Sequence, residues 1–363
     1  MTEPLPAPLA IGYAREVPVL AGSNVLAVLG FGAAAPLADD PRVLRVGLEP
    51  LGPPMLEIWR ASTPVRSGRH DALRWSTDGE HLFFAIEVDE TVHGGISGAA
   101  EHAYRVLSAF VAASETPHLL RLWNYLDAIN LEEGRTRHEP ADFTTDSKGP
   151  SSGSAGHLLA QAGAGRPERP SAAASRIDDE RYRLFCDGRA RGMRAREDAR
   201  YPAATAIGRQ DGVRVLQVYG LAARHPGTPI ENPRQVSAWR YPREYGPTAP
   251  IFARGMRSRA GHLLISGTAA VVGHASQHRD DLAAQIDETL ANLDSLVRHA
   301  GLGGDLGAQS ILKAYLRDPA DADFVRAALA TRAPALGGLI LLAGDICRRE
   351  LLVELDGVQR AAA

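Results

Sequence analysis

The chain has 363 residues, 45% hydrophobic and 23% charged, with a formal net charge of -3 at pH 7. These proportions are typical of a soluble globular protein with room for two ordinary domains or one large one. The pI near 6.5 gives no electrostatic reason to expect nucleic acid or an anionic membrane as a partner. No apolar run approaches a membrane span, and the N-terminus lacks the pattern of a signal peptide. Two cysteines, Cys186 and Cys347, exclude a disulfide framework and a thiolate metal cage, so we expect a cytoplasmic protein.

The N-terminal region contains strand signals and no helical pattern. Strands are predicted at residues 24–32, 55–59 and 72–77. Gly30 and Gly32 follow the first of these as in a dinucleotide-binding motif. However, a third glycine does not follow at the required spacing, and Pro36 and Pro41 interrupt the region where a helix would begin. We therefore reject a nucleotide-binding site here.

The C-terminal residues 261–357 predict the element order β-α-β-α-β-β. Their first helix has an apolar stripe at three- and four-residue steps, formed by Leu282, Ile286, Leu290, Leu293 and Val297. Residues from 81 onwards repeat the same order of elements, and Gln217 falls opposite Glu354 in that alignment. An internal repeat of this length predicts two similar halves with a pocket between them.

The predicted fold class is therefore α+β, with mixed sheets that carry helices on one face. We place the N-terminal half at residues 1–228 and the C-terminal half at 229–363. Residues 132–178 interrupt the first half and are rich in Gly, Ser, Ala and Pro. Such a segment cannot bury enough apolar surface to offset its ordering entropy, so a mobile insertion is predicted.

Glu354 lies within a strand so apolar that its carboxyl group is a candidate for burial. A buried carboxyl group without a partner has a raised pKa, stays neutral and can donate a proton. The alternative is a glutamate on an edge strand that faces water. Cys347 lies one strand length earlier and could face the same cavity, although a small core residue is the simpler interpretation.

Residues 229–257 combine arginines, tyrosines and prolines in a composition unlike either a core or an ordinary linker. Forked guanidinium donors and phenols at this density suit a small ligand with two carboxylates. The alternative is a solvated connection between the two halves.

The sequence disfavours two other chemistries, a metal site and a serine nucleophile. His274 and His278 are four residues apart, but without an HExxH pattern or a carboxylate in register a solvated loop is the better interpretation. Ser266 lies in Ser-Gly-Thr rather than in a nucleophile elbow, and the sequence supplies no base for it.

Several phrases of the sequence occur together in one known family. They are Pro-Ala-Ala-Thr-Ala-Ile-Gly at 202–208, Glu-Asn-Pro-Arg-Gln-Val-Ser-Ala at 231–238, Arg-Tyr-Pro at 240–242, Tyr-Gly-Pro at 245–247, Ser-Gly-Thr-Ala at 266–269 and Gly-Asp-Ile-Cys at 344–347. In this order they resemble the chorismatase family, in the branch that makes 3-hydroxybenzoate. The resemblance covers nearly the whole chain except the insertion. The C-terminal half also resembles the smaller Rid (YjgF) family.

The resemblance implies residue roles. Chorismatases place a glutamate on the last strand as the acid that protonates the enol ether, and Glu354 occupies that position. Their substrate contacts correspond to Tyr182 and Arg189 on a helix and to Tyr241 and Arg254 around the proline-rich turn. Tyr245 and Arg243 are plausible substitutes for the second pair.

The implied activity is conversion of chorismate to 3-hydroxybenzoate and pyruvate without a cofactor or a metal, with 4-hydroxybenzoate as an open second product. A cysteine at the position of Cys347 resembles the aromatising subfamilies. The alternatives are a chorismatase that forms a dihydroxycyclohexadiene carboxylate, and a Rid-like imine deaminase or a small-ligand-binding protein. Imine deaminases carry an arginine after Pro-Ala near the last strands, whereas Leu336 follows Pro334-Ala335 here. A chain that holds both halves of its pocket could work as a monomer.

Overall fold

The computed structural model describes residues 9–134, 180–193, 201–303 and 306–360. The insertion predicted at 132–178 lies outside the described residues, apart from its first three. No helix in the described ranges is long and apolar enough to cross a membrane.

The described residues form four α-helices and nineteen strands. The helices are α1 (Ile96–Ala112), α2 (Arg181–Met193), α3 (Leu282–His299) and α4 (Ala322–Arg332). A four-stranded sheet contains β1 (Ala10–Ala14), β2 (Val25–Phe31), β3 (Val43–Val46) and β4 (Leu56–Arg60). A seven-stranded sheet contains β5 (Arg66–His70), β6 (Leu73–Thr77), β7 (His81–Asp89), β8 (His118–Asp127), β9 (Ala203–Arg209), β10 (Val215–Ala223) and β18 (Asp345–Ile346). A six-stranded sheet contains β11 (Thr228–Ile230), β12 (Gly255–Arg257), β13 (Leu263–Thr268), β16 (Ser310–Leu316), β17 (Gly338–Ala343) and β19 (Val353–Gln359), and a separate hairpin joins β14 (Val271–Val272) to β15 (Ala275–Ser276).

The predicted internal repeat is present in the two larger sheets. Strands run in the order β9-β8-β10-β7 in one and β17-β16-β19-β13 in the other. In both, the first pair is parallel and the remaining pairs are antiparallel. Gln217 pairs with Tyr125 on β8, and Glu354 pairs with Tyr315 on β16. The two residues therefore occupy equivalent positions, as the sequence alignment predicted.

The four-stranded sheet is a third copy of this topology that the sequence did not reveal. Its order is β3-β2-β4-β1, again with one parallel pair followed by antiparallel pairs. Strands β2 and β4 were predicted at nearly these positions, but the short connections 15–24 and 32–42 contain no α-helix. Without a helical period between the strands, the sequence pattern carries no sign of a repeat.

The three sheets pack around a shared core, while the helices cover outward faces. Leu29, Trp59, Trp123, Tyr315 and Leu342 belong to one buried cluster that joins all three sheets. Helices α1 and α2 cover the seven-stranded sheet, and α3 and α4 cover the six-stranded sheet. The fold is thus α+β with helices on one face of each larger sheet, as predicted.

The two larger sheets are also linked directly. The short strand β18 belongs by sequence to the C-terminal half but pairs with β9, with Asp345 opposite Gly208. Cys347, which directly follows β18, is thereby held against the N-terminal half. The division of the chain into domains at residue 228 stays a prediction.

Charged side chains are buried where the three sheets meet. The Nζ of Lys313, only 2% exposed, donates to Glu57 Oε2 at 2.8 Å and lies 3.7 Å from Asp356 Oδ1. Burial alone would lower the pKa of Lys313, but Asp356 and Glu57 raise it to about 12. Asp356 Oδ2 accepts hydrogen bonds from Arg121, Trp123, Thr205 and Tyr315. The network therefore joins one residue of the first sheet to residues of the other two.

We expect Lys313→Met to lower the free energy of unfolding by about 3–5 kcal/mol, because it leaves the buried Glu57 carboxylate without its cation and leaves Asp356 with Arg121 alone. Chemical denaturation of the full chain measures this. Arg66→Met, which breaks the exposed Arg66–Glu115 pair, is the matched control and should change it by less than about 1 kcal/mol. Equal effects of the two substitutions would contradict a structural role for the network.

Candidate active site

A cavity of about 300 Å³ lies between the two larger sheets and is lined by residues of both halves. All six residues singled out in the sequence line it: Tyr182, Arg189, Tyr241, Arg254, Cys347 and Glu354. The structure therefore brings together side chains separated by as many as 172 positions, from Tyr182 to Glu354. The role of each residue in chemistry stays a prediction.

Glu354 lies on β19 in the floor of the cavity and is 5% exposed. Burial, with a contribution from the neighbouring Asp356, raises the pKa of its carboxyl group to about 8, although Arg121, Arg254 and Arg348 act in the opposite direction. No hydrogen bond to this carboxyl group is formed by other described residues. The group is therefore mostly protonated at pH 7 and is available as an acid.

Gly267 allows Glu354 to take up this position. A Cβ atom at residue 267 would lie 1.9 Å from Glu354 Oε1. The pairing of β13 with β19 shifts register between Ile265 and Thr268, which places Gly267 in an irregular stretch of the strand beside Glu354. In the sequence this glycine is part of the Ser-Gly-Thr-Ala phrase at 266–269, but its close packing against another strand is not visible there.

Arg254, directly before β12, is a buried cation on the side of the cavity formed by the second half. Its Nη2 donates to the Tyr241 hydroxyl at 2.6 Å and to the Val236 carbonyl at 2.8 Å. Its Nε has no hydrogen-bond partner among the described residues. The tyrosine therefore orients the guanidinium while the Nε–H remains for an anionic ligand.

Arg189 and Tyr182 face the cavity from α2 on the opposite side. They are seven residues apart and so share one helical face. Gly188 and Gly192 let α2 approach α1 closely, since a Cβ at Gly188 would lie 2.0 Å from the carbonyl oxygen of Ser97. The Nε and Nη2 atoms of Arg189 are buried and lack partners in the described part of the chain. A second guanidinium is thus positioned for a carboxylate.

Cys347 lines the cavity close to Glu354. Burial, and then the charge of Glu354, raise the pKa of its thiol to about 12. The thiol is therefore neutral at physiological pH and is a poor nucleophile. The geometry therefore supports a role for Cys347 as a small side chain that shapes the space beside Glu354.

The structure adds one arginine that the sequence did not indicate. Arg348 lines the cavity, and its Cζ lies 4.0 Å from the ring centroid of Tyr245 and 5.1 Å from that of Tyr241. Its Nη1 donates to the carbonyl oxygen of His274. The feature of the sequence that could have identified Arg348 is its position directly after Cys347. Arg243, the predicted substitute for Arg254, is exposed and does not line the cavity.

The disfavoured chemistries gain no support. His274 and His278 belong to no group of three potential metal ligands in the described ranges. The hydroxyl of Ser266 donates to the Ala253 carbonyl and accepts from the Ala204 amide. Both of its hydrogen-bonding functions are used to join β13 to neighbouring backbone.

Comparisons with known proteins show which family the chain belongs to. A family model described as "Chorismatase FkbO/Hyg5-like, N-terminal" matches residues 57–145 and 171–222. A protein named 3-hydroxybenzoate synthase from Streptomyces hygroscopicus is 30% identical over 96% of this chain and 94% of its own length. A protein named chorismatase from Streptomyces rapamycinicus is 32% identical over 83% of this chain and 81% of its own.

The chain belongs to the chorismatase family. A solved chorismatase crystal structure superposes on this chorismatase family member with a TM-score of 0.76 at 28% identity, covering 99% of this chain and all of the other. The predicted membership is therefore confirmed.

The raised pKa of Glu354 predicts how stability changes with pH. Between its usual pKa of 4.5 and the folded-state value of about 8, the unfolded chain loses the proton while the folded chain keeps it. Folding stability should therefore fall by about 1.4 kcal/mol per pH unit in this window, on account of this group. Glu354→Gln removes the contribution, so the variant should match the wild type near pH 4.5 and exceed it at pH 8. Denaturation at a series of pH values measures this, and parallel curves would contradict burial of the acid.

Proposed function

We propose that the protein converts chorismate to 3-hydroxybenzoate and pyruvate, with Glu354 as the proton donor. The observation that carries this proposal is a buried carboxyl group with a pKa of about 8, in one cavity with two buried arginines that have unused N–H groups. The name of the Streptomyces hygroscopicus relative supports the same activity.

Chorismate carries a ring carboxylate and an enolpyruvyl carboxylate, and the cavity offers a cation for each. Arg189 lies on the α2 side and Arg254 on the side of the second half. The aromatic rings of Tyr182, Phe252 and Tyr241 supply apolar surface for the cyclohexadiene ring. Binding both ends of the substrate between fixed guanidinium groups would hold its methylene carbon against Glu354.

In the proposed reaction, the Glu354 proton moves to the methylene carbon, which becomes the methyl group of pyruvate. The side chain becomes an oxocarbenium ion, and the bond between the ring and the ether oxygen breaks. That oxygen leaves as the carbonyl oxygen of pyruvate, while the neighbouring ring hydroxyl attacks the vacated ring carbon. The hydroxyl proton passes to the carboxylate, and an epoxide is left on the ring. The bond between the epoxide oxygen and its original carbon then breaks, a ring proton is lost and that oxygen gains a proton, which gives the aromatic ring of 3-hydroxybenzoate. Atoms balance without water.

The alternative product requires water. If water adds to the oxocarbenium carbon, pyruvate leaves and a dihydroxycyclohexadiene carboxylate remains. A neutral thiol at Cys347 beside the acid favours the aromatising route, because it neither activates a water molecule nor carries charge. Liquid chromatography of the products, with 3-hydroxybenzoate, 4-hydroxybenzoate and the dihydroxy acid as standards, tests this choice.

A function without chorismate turnover is the second candidate. An imine deaminase of the Rid type lacks its carboxylate-binding arginine here, since Leu336 stands after Pro334-Ala335 and does not line the cavity. A protein that only binds small ligands would form no pyruvate. A coupled lactate dehydrogenase assay with chorismate separates a catalyst from a binder.

We also propose that one chain suffices for turnover, because both sides of the cavity belong to it. A specific activity that does not change on dilution, together with a sedimentation coefficient of a single chain, would support this. The two free cysteines are consistent with the proposed location in the reducing cytoplasm.

Glu354→Gln should abolish pyruvate release while chorismate still binds, because an amide cannot donate the proton. The expected loss in kcat is at least about 100-fold, within the usual range for a general acid. Stopped turnover with retained chorismate binding, measured calorimetrically, is the supporting result. Glu115→Gln, in the exposed pair with Arg66, is the control and should keep full activity. Turnover retained by Glu354→Gln would refute the assignment of the acid.

Gly267→Ala should lower kcat by about 100-fold with little change in stability at acidic pH. The new Cβ would lie 1.9 Å from Glu354 Oε1, so the acid must move, and displacement of a reacting group by about 1 Å costs of this order. Steady-state kinetics measure the effect. Gly12→Ala, whose added Cβ meets open space, is the control for glycine replacement alone and should keep full activity. An unchanged kcat in Gly267→Ala would contradict the close approach.

A further inference from the structure

A second cleft lies where the four-stranded sheet meets the seven-stranded sheet. It has a volume of about 710 Å³ and is lined by β3, by the ends of β7 and β10, and by residues 32–38. None of the residues proposed for chorismate chemistry lines it. Its position in the repeat makes it the counterpart of the candidate active site. The seven-stranded sheet contributes β10, the strand equivalent to β19, and the four-stranded sheet contributes β3, the strand equivalent to β9.

Gln217 stands in this cleft where Glu354 stands in the first. Both residues lie on equivalent strands opposite equivalent tyrosines, and both line their cavities. Glu87 is paired with Gln217 in register and accepts a hydrogen bond from its amide, whereas Gly267 brings no side chain next to Glu354. Residues 32–38, part of the link between β2 and β3, replace helix α2.

The side chain of Gln217 offers a ligand contact. It is 1% exposed, and its Nε2 donates to the Arg45 carbonyl at 2.8 Å and to Glu87 Oε1 at 2.9 Å. Its Oε1 is buried without a hydrogen-bond partner among the described residues. A buried acceptor left unused costs free energy, which a ligand hydroxyl would recover.

The cations around the cleft differ in their partners. Arg209 pairs with Asp211, and Arg74 with Glu87. The guanidinium of Arg45 donates from Nε and Nη2 to the carbonyl oxygen of Ala35 and forms no ion pair with another described residue. Its positive charge is therefore the one that a ligand carboxylate can neutralise.

The cleft also has an apolar wall. Pro36, Leu37 and Val43 line it, and Leu37 is 76% exposed. An exposed leucine beside a cavity provides surface that a ring can cover. A ligand with a carboxylate, a hydroxyl group and a ring could therefore contact Arg45, Gln217 and Leu37, in that order.

We propose that this cleft is a second, non-catalytic binding site for small cyclic carboxylates that carry a hydroxyl group. Arg45 receives the carboxylate, Gln217 Oε1 accepts from the hydroxyl, and Leu37 covers the ring. The ligand is bound and not converted, because an amide stands where the first site has its acid. The assignment does not rest on chorismate turnover.

Photolabelling with 4-azido-3-hydroxybenzoate, followed by peptide mass spectrometry of the full chain, tests the site. We expect adducts within residues 32–49 or 209–217. Excess 3-hydroxybenzoate should suppress them, and 3-hydroxybenzyl alcohol, which lacks the carboxylate, should not. Glu354→Gln should label as the wild type does, so failure of the proposed function and failure of this site give different results.

Leu37→Glu places a negative charge at the mouth of the cleft without disturbing the core and should reduce these adducts about tenfold. Val92→Glu, at another exposed apolar position of 73% exposure, should leave them unchanged. Gln217→Leu should reduce them as well, with its folded state checked by thermal unfolding. No adduct in these peptides, equal labelling in Leu37→Glu and Val92→Glu, or labelling that 3-hydroxybenzoate does not suppress would overturn the proposal.

Discussion

The site depends on one buried carboxyl group that accepts no hydrogen bond from the residues described in the structure. A charged glutamate in such a place would lose its hydration without a compensating partner, so the neutral acid is favoured and its pKa rises. Asp356, two residues along the same strand, lies in a different environment. It accepts four hydrogen bonds and lies near Lys313. Alternate residues of one strand thus hold an acid that keeps its proton and a carboxylate that is stabilised by donors and a cation.

The repeated topology explains how one chain creates this environment. In the first cleft, β9 of the parallel pair in the seven-stranded sheet lies next to β19, which carries Glu354. In the second cleft, β3 of the parallel pair in the four-stranded sheet lies next to β10, which carries Gln217. Helix α2, brought close to α1 by glycines, adds Tyr182 and Arg189 to the first cleft. The second cleft has a loop in the place of that helix. Equivalent backbone positions therefore support different chemistry because their side chains and connections differ.

Much of the fold could be predicted from patterns close in sequence. The apolar period of α3, the strand segments around Leu56 and Leu73, and the repeated order of elements all follow from local spacing of apolar residues. The third sheet could not be recognised, because its connections carry no helical period. Similarly, Gly267 and Arg348 have roles that depend on which strand packs against them, and the sequence contains no local signal of that packing.

The sequence by itself determined the residue types of the site: a glutamate in an apolar strand, arginines and tyrosines around a proline-rich turn, and family phrases in a recognisable order. Tertiary structure decided which of these side chains meet. It chose Arg254 over Arg243, set Glu354 against Gly267, and placed Cys347 beside the acid through the pairing of β18 with β9. The physical reason is that burial and charge neighbours belong to contacts between distant segments, and these contacts control the pKa and the free hydrogen-bonding groups of a site.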